Sequence, residues 1–92
     1  MAEATHRVVL KDYVDGAGRA TFAAEIGGRP ALIELDGPAT LKLVDHALGE
    51  ARIAALAAKR GLIRDTAQRL VDGGFFVEKD GRLEVMITAL DL

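Results

Sequence analysis

The chain has 92 residues, a net charge of −2, half of its residues apolar and 28% charged. That is one small domain with one modest core, and it excludes a protein that holds nucleic acid or an anionic surface by bulk charge. The absence of Cys excludes disulfides, thiolate metal sites and a Cys nucleophile. No apolar run reaches the roughly 18–20 residues of a membrane helix, and the opening residues lack the charged-then-apolar pattern of an export signal. His6 and His46 stand far apart, and no paired carboxylates, triad or metal-ligand spacing can be found. The expectation is a cytoplasmic, non-enzymatic domain with no cofactor, no metal and no membrane contact.

Residues 7–35 read as strands. Arg7 to Val14 is rich in β-branched and aromatic residues, and 15–18 (Asp-Gly-Ala-Gly) is a turn cluster. Ala20 to Ile26 alternates, with Phe22, Ala24 and Ile26 on one face. Gly27-Gly28-Arg29-Pro30 is a second turn, followed by Ala31 to Leu35. Three short strands with short connections predict an antiparallel meander.

Residues 38–73 change to helical period. Pro38 suits a first turn, Leu41, Val44 and Leu48 recur along one face, and Gly49 is a stop. Glu50 to Arg60 reads as a second helix burying Ile53, Leu56 and Ala57, ended by Gly61. A third lies between Arg64 and Asp72, with Ala67, Leu70 and Val71 inward and Gly73-Gly74 closing it. Residues 75–88 return to strands around Lys79-Asp80-Gly81. A three-residue turn would pair Val77 with Leu83 and Phe75 with Val85, giving one apolar face; a two-residue turn would mix charged and apolar groups. Alternation favours the former. The predicted core is Val8, Leu10, Phe22, Ile26, Ile33, Leu35, Leu41, Val44, Leu48, Ile53, Leu56, Leu62, Leu70, Val71, Phe75, Val77, Leu83 and Val85.

Three helices followed by a tight hairpin is the order of a winged helix. The ungapped stretch from Ile53 to Leu70, with Ala57, Gly61, Leu62, Ala67 and Leu70 at their spacings, resembles the helix-turn-helix of bacterial and phage transcriptional regulators. The continuation from Val71 to Val85 is similar to the run from recognition helix into wing. The resemblance implies an α+β single domain, 1–92. Its parts would be a three-stranded meander over 7–35, a three-helix winged helix-turn-helix over 38–73 and a wing hairpin over 75–88. In it Ala57 lets two helices cross closely, Gly61 makes the turn and Leu62 plugs their angle.

The resemblance also implies duplex DNA as partner, in sequence-specific binding by a small regulator, with the recognition helix at about 64–72. Arg64, Asp65, Gln68 and Arg69 would face bases. Lys59, Arg60 and Thr66 would reach phosphates, and Lys79 and Arg82 at the wing tip would touch backbone or minor groove. Residues 52–70 carry five Arg or Lys against one acid, so positive charge lies where this reading needs it. Ile63 stands where the family often has a capping hydroxyl, and Asp65 with Gln68 offers a capping box instead.

The alternative is a protein- or peptide-binding winged-helix module, with apolar Ile63 as its partner contact. A meander preceding three helices also resembles the small recognition elements that hold leader peptides for peptide-modifying enzymes. There an extended leader adds to the sheet beside the third helix. A phage-type inhibitor of a partner protein would leave the same traces. So small a core also makes a homodimer through an edge strand of the meander an expectation.

Overall fold

The computed structural model describes residues 6–15, 19–44 and 49–92. The elements in chain order are β1 (Val8–Asp15), β2 (Ala20–Ile26), β3 (Arg29–Leu35), α1 (Gly37–Val44), α2 (Gly49–Ala58), α3 (Arg60–Asp72), β4 (Val77–Lys79) and β5 (Arg82–Ile87). A short 3₁₀ turn, Ala89–Asp91, follows. The α+β class, the antiparallel meander and the succession of three strands, three helices and a hairpin agree with the sequence pattern. The turn residues 16–18, His46 and Leu48 lie outside the described residues.

All five strands belong to one sheet, ordered β1-β2-β3-β5-β4. The meander is antiparallel, β5 runs parallel to β3, and β4 returns antiparallel to β5. The hairpin expected as a separate wing therefore continues the sheet. Parallel neighbours need a long crossover, and the helical stretch supplies it. Asp36 stands where the crossover leaves β3. Its N–H donates to the Ile87 carbonyl at 3.0 Å, and its Oδ1 accepts the Ala39 N–H at 2.8 Å, capping α1.

Alternation places Phe22, Ala24 and Ile26, then Ala31, Ile33 and Leu35, then Leu83, Val85 and Ile87 on one buried face. In β1 that face is Val8 and Leu10 but then Tyr13, a change from even to odd positions. A bulge between Leu10 and Tyr13 makes the change, and Tyr13 then packs edge-on against Phe22 at 5.5 Å between ring centroids.

The hairpin takes the two-residue turn rather than the three-residue one. Lys79 pairs with Arg82, Glu78 with Leu83 and Val77 with Glu84, while Asp80 (φ 54°) and Gly81 (φ 81°) adopt the left-handed pair of a type I′ turn. The expected register rested on burying one face of β4. All of β4 is exposed, so burial selects nothing and the turn decides. Phe75 (69% exposed) and Val77 (60% exposed) consequently lie outside the core.

The helical corner also moves. α3 begins at Arg60, four residues before the expected start, and Gly61 is its second residue rather than a turn. The break falls at Lys59, whose N–H donates to Leu56 O while its own carbonyl accepts the Ile63 N–H. Ala57 is exposed and so does not sit at a helix crossing. The longer helix puts Ile63, Thr66, Ala67 and Val71 against the sheet and turns Leu62 outward. Leu41 and Ile53 are likewise exposed, not core. The C-terminus of α3 is as the paired glycines indicate: Phe75 N–H donates to Leu70 O and Gly74 N–H to Val71 O. Gly74, at φ 81°, occupies the left-handed position of this Schellman cap.

Three outcomes follow for chemical denaturation. Ile63→Ala should cost about 2–5 kcal/mol, because Ile63 is fully buried in the core rather than free for a partner. Gly74→Ala should cost about 1 kcal/mol through the left-handed backbone. Thr66→Val should stabilise by about 1 kcal/mol, since the buried Thr66 hydroxyl has no hydrogen-bond partner among the described residues.

Candidate partner-binding face

Arg60, Arg64 and Gln68 recur every fourth residue and form one stripe along α3. That stripe meets the outer edge of β1. Arg60 donates to Leu10 O (2.9 Å) and Lys11 O (2.8 Å), and Arg64 Nε donates to Val8 O (3.0 Å). Gln68 Oε1 accepts the Val8 N–H (2.9 Å) and Gln68 Nε2 donates to His6 O (3.1 Å). Within the stripe Arg64 donates to Gln68 Oε1 (3.0 Å), and Gln68 also donates to Asp72 (2.9 Å). An unpaired strand edge leaves a row of backbone donors and acceptors open; here side chains of a helix take the place of a neighbouring strand.

The residues expected to read DNA are thereby distributed very differently. Arg60, Arg64 and Gln68 hold β1, and Arg69 donates to Asp91 O at 2.7 Å. The capping box expected from Asp65 and Gln68 is not formed: Gln68 bonds β1, and Asp65 pairs with Arg64 at 3.2 Å. Thr66 is 1% exposed and cannot reach a phosphate, and Ile63 is 0% exposed and cannot meet a partner. Lys59 and Lys79 are exposed, and Arg82 pairs with Glu84 at 3.4 Å. The sequence pattern places Arg60 on the helix before this one, so neither the stripe nor its acceptors can be read there.

No helix among the described residues covers the opposite face of the sheet. By the strand register it carries Val9 and Val14 of β1, Ala23 of β2, Leu32 and Glu34 of β3, Glu84 and Met86 of β5, and Val77 of β4. Val9, Val14, Val77 and Met86 are exposed large hydrophobics. Phe75 joins them: its ring lies against Gly73, where any Cβ would come within 2.9 Å of it. A groove of about 490 Å³ runs here, lined by Arg19, Glu34, Phe75, Val77, Glu84 and Met86. A shallower depression of about 350 Å³ continues the face, lined by Lys11, Ala23, Glu25, Pro30, Leu32 and Arg82. Ion pairs frame both: Lys11–Glu25 at 2.7 Å, Arg19–Glu34 at 3.5 Å and Arg82–Glu84 at 3.4 Å. Such pairs are exposed and add little stability, but they surround an apolar strip with charges of both signs. This face is not legible in the sequence, where Phe75 and Val77 read as core.

A third hollow, about 350 Å³, lies beside α3 between Val8, Leu10, Arg60 and Arg64. It is where an extended peptide would add beside a third helix, but the β1 backbone there is already bonded by Arg60, Arg64 and Gln68.

Among the described residues no cluster of His, Asp or Glu is arranged to hold a metal, and no helix is long and apolar enough to cross a membrane. Comparison with protein-family models, curated proteins and solved structures gives no match.

The α3–β1 contacts yield a further expectation. Arg64→Ala strips the Val8 carbonyl of its donor, and should lower unfolding free energy by about 1–3 kcal/mol in urea titration. An arginine serving DNA alone would leave that stability unchanged.

Proposed function

We propose that this chain is a protein-interaction domain that takes an extended segment of a partner across the uncovered face of its sheet. The observation that carries this reading is the apolar strip of Phe75, Val77 and Met86 around the 490 Å³ groove, framed by Arg19, Glu34 and Glu84. Contiguous exposed apolar surface with a polar rim is the signature of a partner site. An extended peptide fits because the groove sets apolar Phe75, Val77 and Met86 beside charged Arg19, Glu34 and Glu84, and an extended chain can offer side chains of both kinds. The reading is of the peptide-binding class rather than the DNA-binding class, because binding to DNA through α3 would require Arg60, Arg64 and Gln68 to abandon the β1 edge.

The test is selection of peptides from a random library against the purified chain, followed by affinity measurement on variants. Selected peptides should lose about tenfold or more in affinity, at least 1.4 kcal/mol, on Phe75→Ala or Met86→Lys. Leu62→Lys, on the helical side, should leave affinity unchanged. Peptides indifferent to Phe75 and Met86 would overturn the choice of face. Duplex DNA is the second arm. Affinity that falls by orders of magnitude between roughly 50 and 200 mM salt, and is lost on replacing Lys59 and Arg69 by Ala, would restore the DNA-binding alternative.

A further inference from the structure

We infer that β4 is a dimerisation edge, at which a second copy of this chain adds its own β4 antiparallel about a two-fold axis through Val77. Two five-stranded sheets would then become one continuous sheet.

The sheet ends in two edges, and they are treated differently. From Val8 to Lys11 the β1 edge is held by Arg60, Arg64 and Gln68. The β4 edge is not. In a two-residue hairpin the flanking residues, here Lys79 and Arg82, bond each other across the ladder. The alternate position Glu78 therefore turns its N–H and C=O groups outward, and the same alternation carried one step before the strand would do so at Phe76. No group among the described residues bonds those backbones from the outer side. The side chains flanking them, Phe75 and Val77, are also the most exposed apolar residues of the uncovered face.

The register identifies the occupant. Outward-facing residues must meet outward-facing residues, so an antiparallel copy can place the axis at Phe76, Val77 or Glu78. An axis at Glu78 sets two carboxylates directly opposite, which is unfavourable. An axis at Phe76 requires Gly74 to pair as a strand residue, yet Gly74 is held at φ 81° by the cap of α3. The axis at Val77 has neither fault. It sets Val77 against its own copy, Phe76 against Glu78, and Phe75 against Lys79, whose alkyl stem and ammonium suit an aromatic ring. Short charged edges commonly resist strand addition. Here the Glu78 carboxylate is drawn to Arg29 at 2.7 Å, within its own sheet.

This inference stands apart from the partner-binding reading; pairing at β4 would join two copies of the uncovered face. Its test exploits the lack of cysteine in the chain. Opposed residues flanking a two-fold in an antiparallel pair lie within disulfide reach. Val77→Cys should therefore oxidise to a covalent dimer much faster than Met86→Cys, which is on the same face but one strand in from the edge. Sedimentation equilibrium of the unaltered chain should show a monomer–dimer equilibrium, and Val77→Lys should shift it to monomer at every concentration without changing the circular dichroism. A wild-type chain that stays monomeric at millimolar concentration, or equal oxidation of the two cysteine variants, would overturn the inference. Peptides indifferent to Phe75 and Met86, with dimerisation intact, would instead count against the partner-binding reading alone.

Discussion

The structure depends on how the outer edge of β1 is satisfied. Val8, Leu10 and Lys11 turn backbone groups away from β2, and without a neighbour these would face water or be buried unbonded. A helix has no free backbone to offer, so α3 presents side chains of the right length at the right interval. Two arginines and a glutamine, one per turn, reach the strand over distances of 2.8–3.0 Å. This fixes where α3 lies, and α3 in turn carries Ile63, Ala67 and Val71 onto the core. It also fixes the N-terminal strand, because the same contacts hold β1 from outside while β2 holds it from inside.

The consequences reach the function. A helix whose cationic side chains bond its own sheet is poorly placed to bind an external polyanion. Arg69, braced to the Asp91 carbonyl, extends the same economy to the C-terminal turn, which Lys42 also holds through Ala89 and Leu92. With the helices gathered on one side, the other side of the sheet receives no cover among the described residues. A five-stranded sheet with one solvated face ordinarily alternates apolar and polar residues cleanly. This one carries Val9, Leu32, Val77 and Met86 on its solvated face, with Phe75 at the margin, and that excess of apolar surface is what the proposed partner would bury.

The two halves of the chain differ in how their neighbours are chosen. The meander is local: short turns deliver β1, β2 and β3 to each other, and period-two alternation sets which side faces in. The position of β5 is not local. It reaches β3 across a crossover of three helices and β4, and its register, Ile33 opposite Val85 and Leu35 opposite Ile87, is set by burial of those side chains in a common core. β4 has no such constraint, since it buries nothing, and so it follows the Asp80-Gly81 turn.

Local pattern along the chain suffices for the elements: three strands from alternation, three helices from the 3.6-residue period and Pro38, the paired glycines that stop α3, and a hairpin at Asp80-Gly81. The expected break at Gly61 puts Arg60 on the second helix and Arg64 and Gln68 on the third, so the stripe they form, four residues apart on one continuous helix, is not legible there. Only the tertiary structure decided what that stripe touches, since an arginine on a helix surface has the same local pattern whether it meets a phosphate or a carbonyl. It likewise decided the start of α3. The Ala57–Gly61 spacing fits a corner, but Gly61 is also acceptable inside a first turn, and burial of Ile63 against the sheet favours the longer helix. Alternation across the hairpin reads Phe75 and Val77 as core, but alternation reports that an apolar face gains from burial, not whether this chain supplies the surface to bury it. Here the sheet ends at β4, and no element among the described residues covers Phe75 and Val77.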